Sequence, residues 1–315
     1  MAGHTTSNIT HLTRSELWSS QLKDVLQDEL FARSYVRWLT EFPDGDTFTI
    51  PSIGQATVRD YSEDAPVVYD ALDTGEFQFS ITEYVQAGTY ITEKAKQDGF
   101  YMDELVSQFV PKQARAIMEK VETDVFNLGL SQTASDPNTI NSARHRFVGS
   151  GTSETIALED FAKAKFALQK ANVPIQNLVA IVDPTVGYEI ETLTNIVNVS
   201  NNHNLDGPIA EGIMQNMEFK KNIYGFNVFV SNYLPDANET ISTVTTAAGK
   251  CNMFFNATPD LLPFIGAWRQ MPKVDSEYNK DRQREEYVTT ARYGVKLYRP
   301  ENLVCILTDT DQVYA

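Results

Sequence analysis

Between residues 41 and 83 the chain carries ten acidic side chains and a single base, Arg59, a net charge of −9 within a whole-chain total of −16. The same region alternates its side chains in β-rich order, first as TFTIPSIGQATVRDY and then as EFQFSITEYVQAGTYIT, punctuated by Pro43, Gly45, Pro51, Gly54, Pro66 and Gly75. That pattern predicts two long strands with a turn-rich connection. A ribbon so acidic makes a poor internal core, and isolated two-stranded ribbons are marginal in water. It therefore needs another surface to lie on, and another subunit can supply one. The acids Glu63, Asp64, Asp70, Asp73 and Glu76, with Arg59 among them, are the contact candidates.

The flanking sequence is mixed α and β. Leu17, Leu22, Val25, Leu26, Phe31, Tyr35, Trp38 and Leu39 recur at helical spacing across 15–40, with Ser15 available as an N-cap. Trp18 and Trp38 give this expected helix a large apolar payload, and both are candidates for burial against a neighbour. Over 101–130 the helical signal is strongest, with Ala114, Ile117, Val121, Val125 and Leu128 on one stripe. Pro111 either starts that helix after a shorter one at 102–110 or kinks a continuous rod. Residues 131–152 are polar and read as an exposed loop, on which Arg144, His145 and Arg146 form a basic cluster suited to an acidic partner segment or to phosphate. A helix at 155–171 buries Leu158, Phe161 and Leu168, and Pro174 stops it. LVAIVDP at 178–184 reads as a short strand buried on both faces. A helix at 184–195, a loop near 201–207, a helix-prone 208–217 and a strand at 224–232 follow. The tail holds an apolar 252–268, a charged 273–286, and the strands EYVTTARYGVKLY and NLVCILT, joined at Arg299-Pro300-Glu301.

Several functions are excluded. The acidic total argues against tracking a nucleic-acid backbone or an anionic lipid surface, so any DNA contact is local. Two cysteines, Cys251 and Cys305, lie in apolar sequence without a CxxC, which fits a reducing cytosol and argues against a disulfide framework or structural zinc. His4, His11, His145 and His203 are dispersed, and Asp44-Gly45-Asp46 and Asp309-Thr310-Asp311 lack the remaining ligands of a calcium loop. No GxSxG, P-loop or GxGxxG is present, so no catalytic, cofactor-binding or metal site is assigned. Neither a signal peptide nor a spanning segment is evident, and a membrane role is not expected.

The order of elements resembles that of tailed-bacteriophage major capsid proteins of the Hong Kong 97 type. The segments that carry the resemblance are ANVPIQNLVAIVDPTVGYEI, with Pro174 and Pro184, then IYGFNVFVSN, and finally RYGVKLYRPENLVCILT, with Tyr293, Gly294, Pro300 and Glu301. It covers nearly the whole chain. The resemblance implies an α+β capsid fold: an N-terminal arm at 1–40, an extended hairpin loop at 41–93, a peripheral domain at 94–174 and 266–315 with the 101–130 helix as its spine, and an axial domain at 175–265. It implies a structural subunit, not an enzyme, that needs no cofactor. Copies would self-assemble in the host cytoplasm into pentamers and hexamers of an icosahedral virion head around double-stranded DNA. A separate scaffolding protein, a portal protein and a decoration or cement protein are the further partners it implies. The founding member of the family joins a loop lysine to a neighbouring asparagine. Residues 41–93 contain no lysine, and the first after them is Lys94, so that crosslink is not expected here. Rival readings are an encapsulin-type compartment around a cargo enzyme and an α/β enzyme acting on a small molecule. A convergent pocket of perturbed titratable groups would favour the enzyme.

Overall fold

A computed structural model describes residues 30–39, 47–53, 58, 60, 63, 74–98, 102–130, 139–192, 222–241, 243–246 and 249–310. In chain order the first elements are β1 (Val36–Leu39), β2 (Thr47–Ile53), β3 (Thr74–Ser80), β4 (Glu83–Thr92), α1 (Glu93–Asp98) and α2 (Met102–Asn127). There follow β5 (Thr139–Ile140), β6 (Ala143–Arg144), β7 (Arg146–Val148), α3 (Leu158–Lys170), β8 (Leu178–Val182) and α4 (Pro184–Thr192). The last third contributes β9 (Asn222–Ile223), β10 (Phe226–Val230), β11 (Thr240–Ile241), β12 (Val244–Thr245), β13 (Gly249–Asn256), β14 (Phe264–Asn279), β15 (Arg284–Leu297) and β16 (Leu303–Asp309). Among the described residues no helix is long and apolar enough to cross a membrane.

Two sheets organise these elements. The larger has the order β7-β16-β13-β8-β10-β9, with β8 parallel to β10 and antiparallel to β13. Its central strands are apolar on both faces because both faces are covered, and all five residues of β8 are buried. One face holds Phe161, Leu168, Phe226 and Phe254 beneath α3 and α4. The other joins Met253, Phe255, Leu303 and Leu307 to Val121, Val125 and Phe126 of α2. Buried asparagines fasten the strands: Asn252 donates to the Ile306 carbonyl at 3.1 Å and accepts from the Asp183 amide at 2.9 Å. The β9–β10 link is a tight hairpin in which Tyr224 and Gly225 both have positive φ, 52° and 92°, as two-residue hairpin turns require.

The smaller sheet has the order β1-β14-β15-β4 and lies against α2. Ile117, Val121 and Val125 of the expected stripe are buried, Ala114 and Leu128 half-buried. The helix runs unbroken through Pro111, which settles the alternatives in favour of one rod. Polar bonds set its register on the sheet. Tyr293 donates to Asp124 at 2.6 Å and Thr289 to Gln113 at 3.0 Å, while buried Glu122 accepts from the amides of Phe31 and Ala32 at 3.0 and 2.9 Å. Gly129, just past the helix end, sits so close to β13 that an added Cβ would lie 2.5 Å from Met253 Cε.

Three sequence expectations change, and one stretch read only as charged gains a structure. The helix expected over 15–40 does not reach its C-terminal limit: Ala32–Tyr35 is a 3-10 turn and Val36–Leu39 a strand paired in parallel with Phe264–Ala267. Residues 15–29 of that expectation lie outside the described residues. The second long strand is two strands in different sheets, β3 with β2 and β4 with β15, separated at Ile81 and Thr82. Residues 139–148, read as exposed loop, contain β5, β6 and β7, with β7 parallel to β16. The charged stretch 273–286 is the outer end of the β14–β15 hairpin. The helix read at 184–195 is described to Thr192, while the loop near 201–207 and the helix-prone 208–217 lie outside the described residues.

Candidate functional site

The acidic ribbon is the first candidate. Strands β2 and β3 pair in register from Thr47 opposite Ser80 to Ile53 opposite Thr74. Its root is anchored by a small apolar cluster: Phe79 and Ile81 are buried with Ile265 and Ala267, and Ile50, Phe77 and Tyr298 pack against them. Lys296 fixes the strand from outside, donating to the Gln78 carbonyl at 2.8 Å with its ammonium 5.0 Å from the centre of the Phe77 ring. Among the described residues beyond the root, Glu76 and Glu63 are exposed. Arg59, Asp64, Asp70 and Asp73 lie outside the described residues, as does Trp18.

The outer β14–β15 hairpin is the second. Residues 273–278 are exposed without interruption, so neither face of β14 is covered there. Val274 and Tyr278 stand in solvent, and so do Tyr84 and Tyr90 on β4. Arg284 places its guanidinium 4.3 Å from the centre of the Tyr90 ring, a cation–π contact beside the hairpin turn. Lys96 of α1 bonds Glu285 at 2.8 Å; this contact, with a bond from Tyr287, holds the carboxyl below its usual range.

The Arg144, His145, Arg146 cluster divides. Arg144 is exposed, but His145 and Arg146 are buried, which corrects the reading of all three as one solvated basic patch. Alternation along β6 and β7 turns their side chains in different directions. Arg146 forks onto Glu239, with Nη2 2.6 Å from Oε1 and Nε 2.9 Å from Oε2, and also donates to the Gly129 carbonyl at 3.1 Å. Burial opposes its charge, but the Glu239 bond and the nearby thiols outweigh that and raise its pKa. Both Cys251 and Cys305 are fully buried beside it as free thiols. A hydrogen bond from Cys305, and then the arginine, favours the Cys251 thiolate, and Cys305 is pushed up in consequence. His145 donates through Nδ1 to the Ala143 carbonyl at 3.1 Å, and burial lowers its pKa.

Trp38 is half-buried within its own chain, stacked on Trp268 with ring centres 5.1 Å apart, and its Nε1 donates to the Arg33 carbonyl at 3.1 Å. Sequence reasoning missed Glu122, Asp124 and Glu239. Each accepts from a partner at least 90 residues away, a pairing that no local pattern marks, although Asp124 also pairs with Lys120 one turn before it. Among the described residues no group of three or more His, Cys, Asp or Glu side chains could hold a metal ion.

Comparison with known proteins adds the remaining finding. A family model described as "Phage capsid protein" matches residues 75–306. The capsid structure of Cyanophage P-SCSP1u is similar at a TM-score of 0.71 and 14% identity, over 96% of this chain and 94% of that one. The Cyanophage Pam1 capsid asymmetric unit gives 0.70 at 13% identity, over 99% and 100%. A structure from Mycobacterium phage Che8 gives 0.66 at 17% identity, over 93% and 96%. No curated protein sequence matches the chain.

Proposed function

The chain belongs to the phage capsid protein family, and from that premise we propose how it builds a shell. The protein is the major capsid protein, a structural subunit of the virion with no catalytic role. Copies associate as pentamers and hexamers into an icosahedral head enclosing double-stranded DNA. Residues 1–40 serve as an N-terminal arm, 41–93 as an extended loop reaching a neighbour, 94–174 and 266–315 as a peripheral domain, and 175–265 as an axial domain around the capsomer centre. Assembly is guided by a separate scaffolding protein, and the finished head carries a portal and a decoration or cement protein.

The observation that carries this reading is the outer hairpin, where six consecutive residues of β14 are exposed on both faces of a single layer of sheet. A subunit working alone gains nothing from extending a sheet beyond the helix that covers it. A subunit whose neighbours cover that sheet gains an interface, and large obligate interfaces reach 2,000–5,000 Å2 or more. Opposite charges between the acidic loop and basic neighbours steer encounter and fix register, an effect that weakens with salt. Negative-stain microscopy of the expressed chain, with and without its scaffold, tests the proposal: closed shells are expected, and a monodisperse small oligomer under both conditions would contradict it.

A further inference from the structure

A groove of about 300 Å3 opens between α3 and the strands β6, β7, β11 and β12, lined by Arg144, Phe147, Lys163, Phe166, Ile241 and Val244. Phe166 is 52% exposed and Val244 38%, so its mouth offers apolar surface to solvent. Cations frame that surface. Arg144 is exposed on β6 with no acidic partner among the described residues, and the Lys170 ammonium lies 5.8 Å from the centre of the Phe166 ring. Lys163 is partly neutralised, at 3.2 Å from Glu159 and 3.4 Å from Asp160. In a chain of net charge −16 this is an unusual combination. Its volume is at the small end of the range for ligand clefts, which suits a few side chains of a peptide better than a whole cofactor.

The matching chemistry occurs in the chain itself. Residues 60–73 contain five acids, Asp60, Glu63, Asp64, Asp70 and Asp73, and no base, interleaved with Tyr61, Val67, Val68, Tyr69 and Leu72. We infer that the α3 groove receives segment 60–73 of a neighbouring copy, its apolar side chains entering the groove and its carboxylates meeting Arg144 and the α3 lysines. This rests on the reading of 41–93 as an intersubunit loop and names the surface it reaches. Charge supplies orientation and partner choice, while burial of the apolar side chains supplies the hold.

Charge exchange tests it in the full chain, with melting temperature measured on every variant. Arg144→Glu with Lys163→Glu should abolish shells, as should Glu63→Lys with Asp64→Lys, and the four changes together should restore them. If the loop reversal alone leaves shell yield unchanged, the loop is not an intersubunit arm, and the inference falls with that reading. If it abolishes shells but the groove reversal does not rescue it, the arm stands and the groove is not its receptor. Shells that form normally from the groove variant but package less DNA would make phosphate the ligand and overturn the inference. A chain carrying Glu63→Cys and Arg144→Cys covers the case of a groove variant that misfolds. Mild oxidation of its assemblies should give a ladder of multimers in non-reducing SDS, and a crosslink confined within single chains would show the loop folding back on its own subunit and overturn the inference.

Discussion

Strand β8 and the outer half of β14 are both regular β-structure in one chain, and they differ in what covers them. All five residues of β8 are buried between helices on one face and α2 on the other, whereas 273–278 of β14 has no cover on either face. Fully burying a Val, Leu or Ile side chain is worth about 1.5–3 kcal/mol, so the six-stranded sheet holds itself together within one subunit. Among the described residues, the outer hairpin and the acidic ribbon are held by ladder hydrogen bonds, a root cluster around Phe79 and exposed polar contacts such as Lys96–Glu285 and Arg284 on Tyr90, with little apolar burial. The difference separates residues that make the subunit from residues that await a neighbour.

Substitutions should fall on one side or the other of that line. Phe254→Ala should have the largest effect, because the ring is fully buried with edge contacts to Phe161 and Phe226, each at 5.3 Å. A loss of about 3–5 kcal/mol is expected, read as a fall in denaturant midpoint. Ile117→Ala, beneath the smaller sheet, should cost about 2–4 kcal/mol by the same cavity argument. Loss of assembly with unchanged unfolding in that variant would place the helix stripe at an interface and break the comparison.

A pH series sharpens it from within the buried region. His145 titrates near 6.5 when unfolded and lower when folded. Below pH 6.5 the unfolded chain therefore binds more protons, and stability should fall as pH drops from there toward the folded value. One proton sets a ceiling of about 1.4 kcal/mol per pH unit on this slope. Burial raises the pKa of Glu189, which acts in the opposite sense. Glu189 is common to the parent and a His145→Gln variant, so the slope difference between their melting curves isolates His145. Equal slopes would show that the histidine does not feel its burial. Smallest in stability should be Val274→Ser with Tyr278→Ser on the outer hairpin, within about 0.5 kcal/mol, yet this pair should reduce shell yield. A marked fall in melting temperature would mean the hairpin is covered by its own subunit.

The same line separates what the sequence discloses from what it hides. The α2 stripe and the continuous apolar run of β8 were legible because a covered element carries its cover in its periodicity. Residues 35–39 were not: Tyr35, Trp38 and Leu39 fit a helical stripe, but Val36–Leu39 pairs with a strand more than 220 residues away. In 273–278 the side chains do alternate, Lys273, Asp275 and Glu277 on one face and Val274, Ser276 and Tyr278 on the other, but both faces are exposed, so the pattern lacks the apolar face that marks a covered strand. Arg146 shows the reverse error, since a basic triplet in polar sequence suggests solvent, whereas Glu239, 93 residues on, and the Gly129 carbonyl compensate its burial. For the candidate site, the acidic excess of the ribbon was visible from composition, while the α3 groove requires β6, β7, β11 and β12 to meet in space.

Hydrogen exchange on the free subunit and on the assembled shell is the most direct test of the division. Amides in 178–182, 249–256 and 303–309 should be strongly protected in both states. Those in 47–53, 74–80 and 271–286 should exchange quickly in the free subunit and slow markedly on assembly. Equal protection of the two groups in the free subunit, or no gain in the second group on assembly, would contradict the claim that the ribbon and outer hairpin obtain their cover from neighbouring copies.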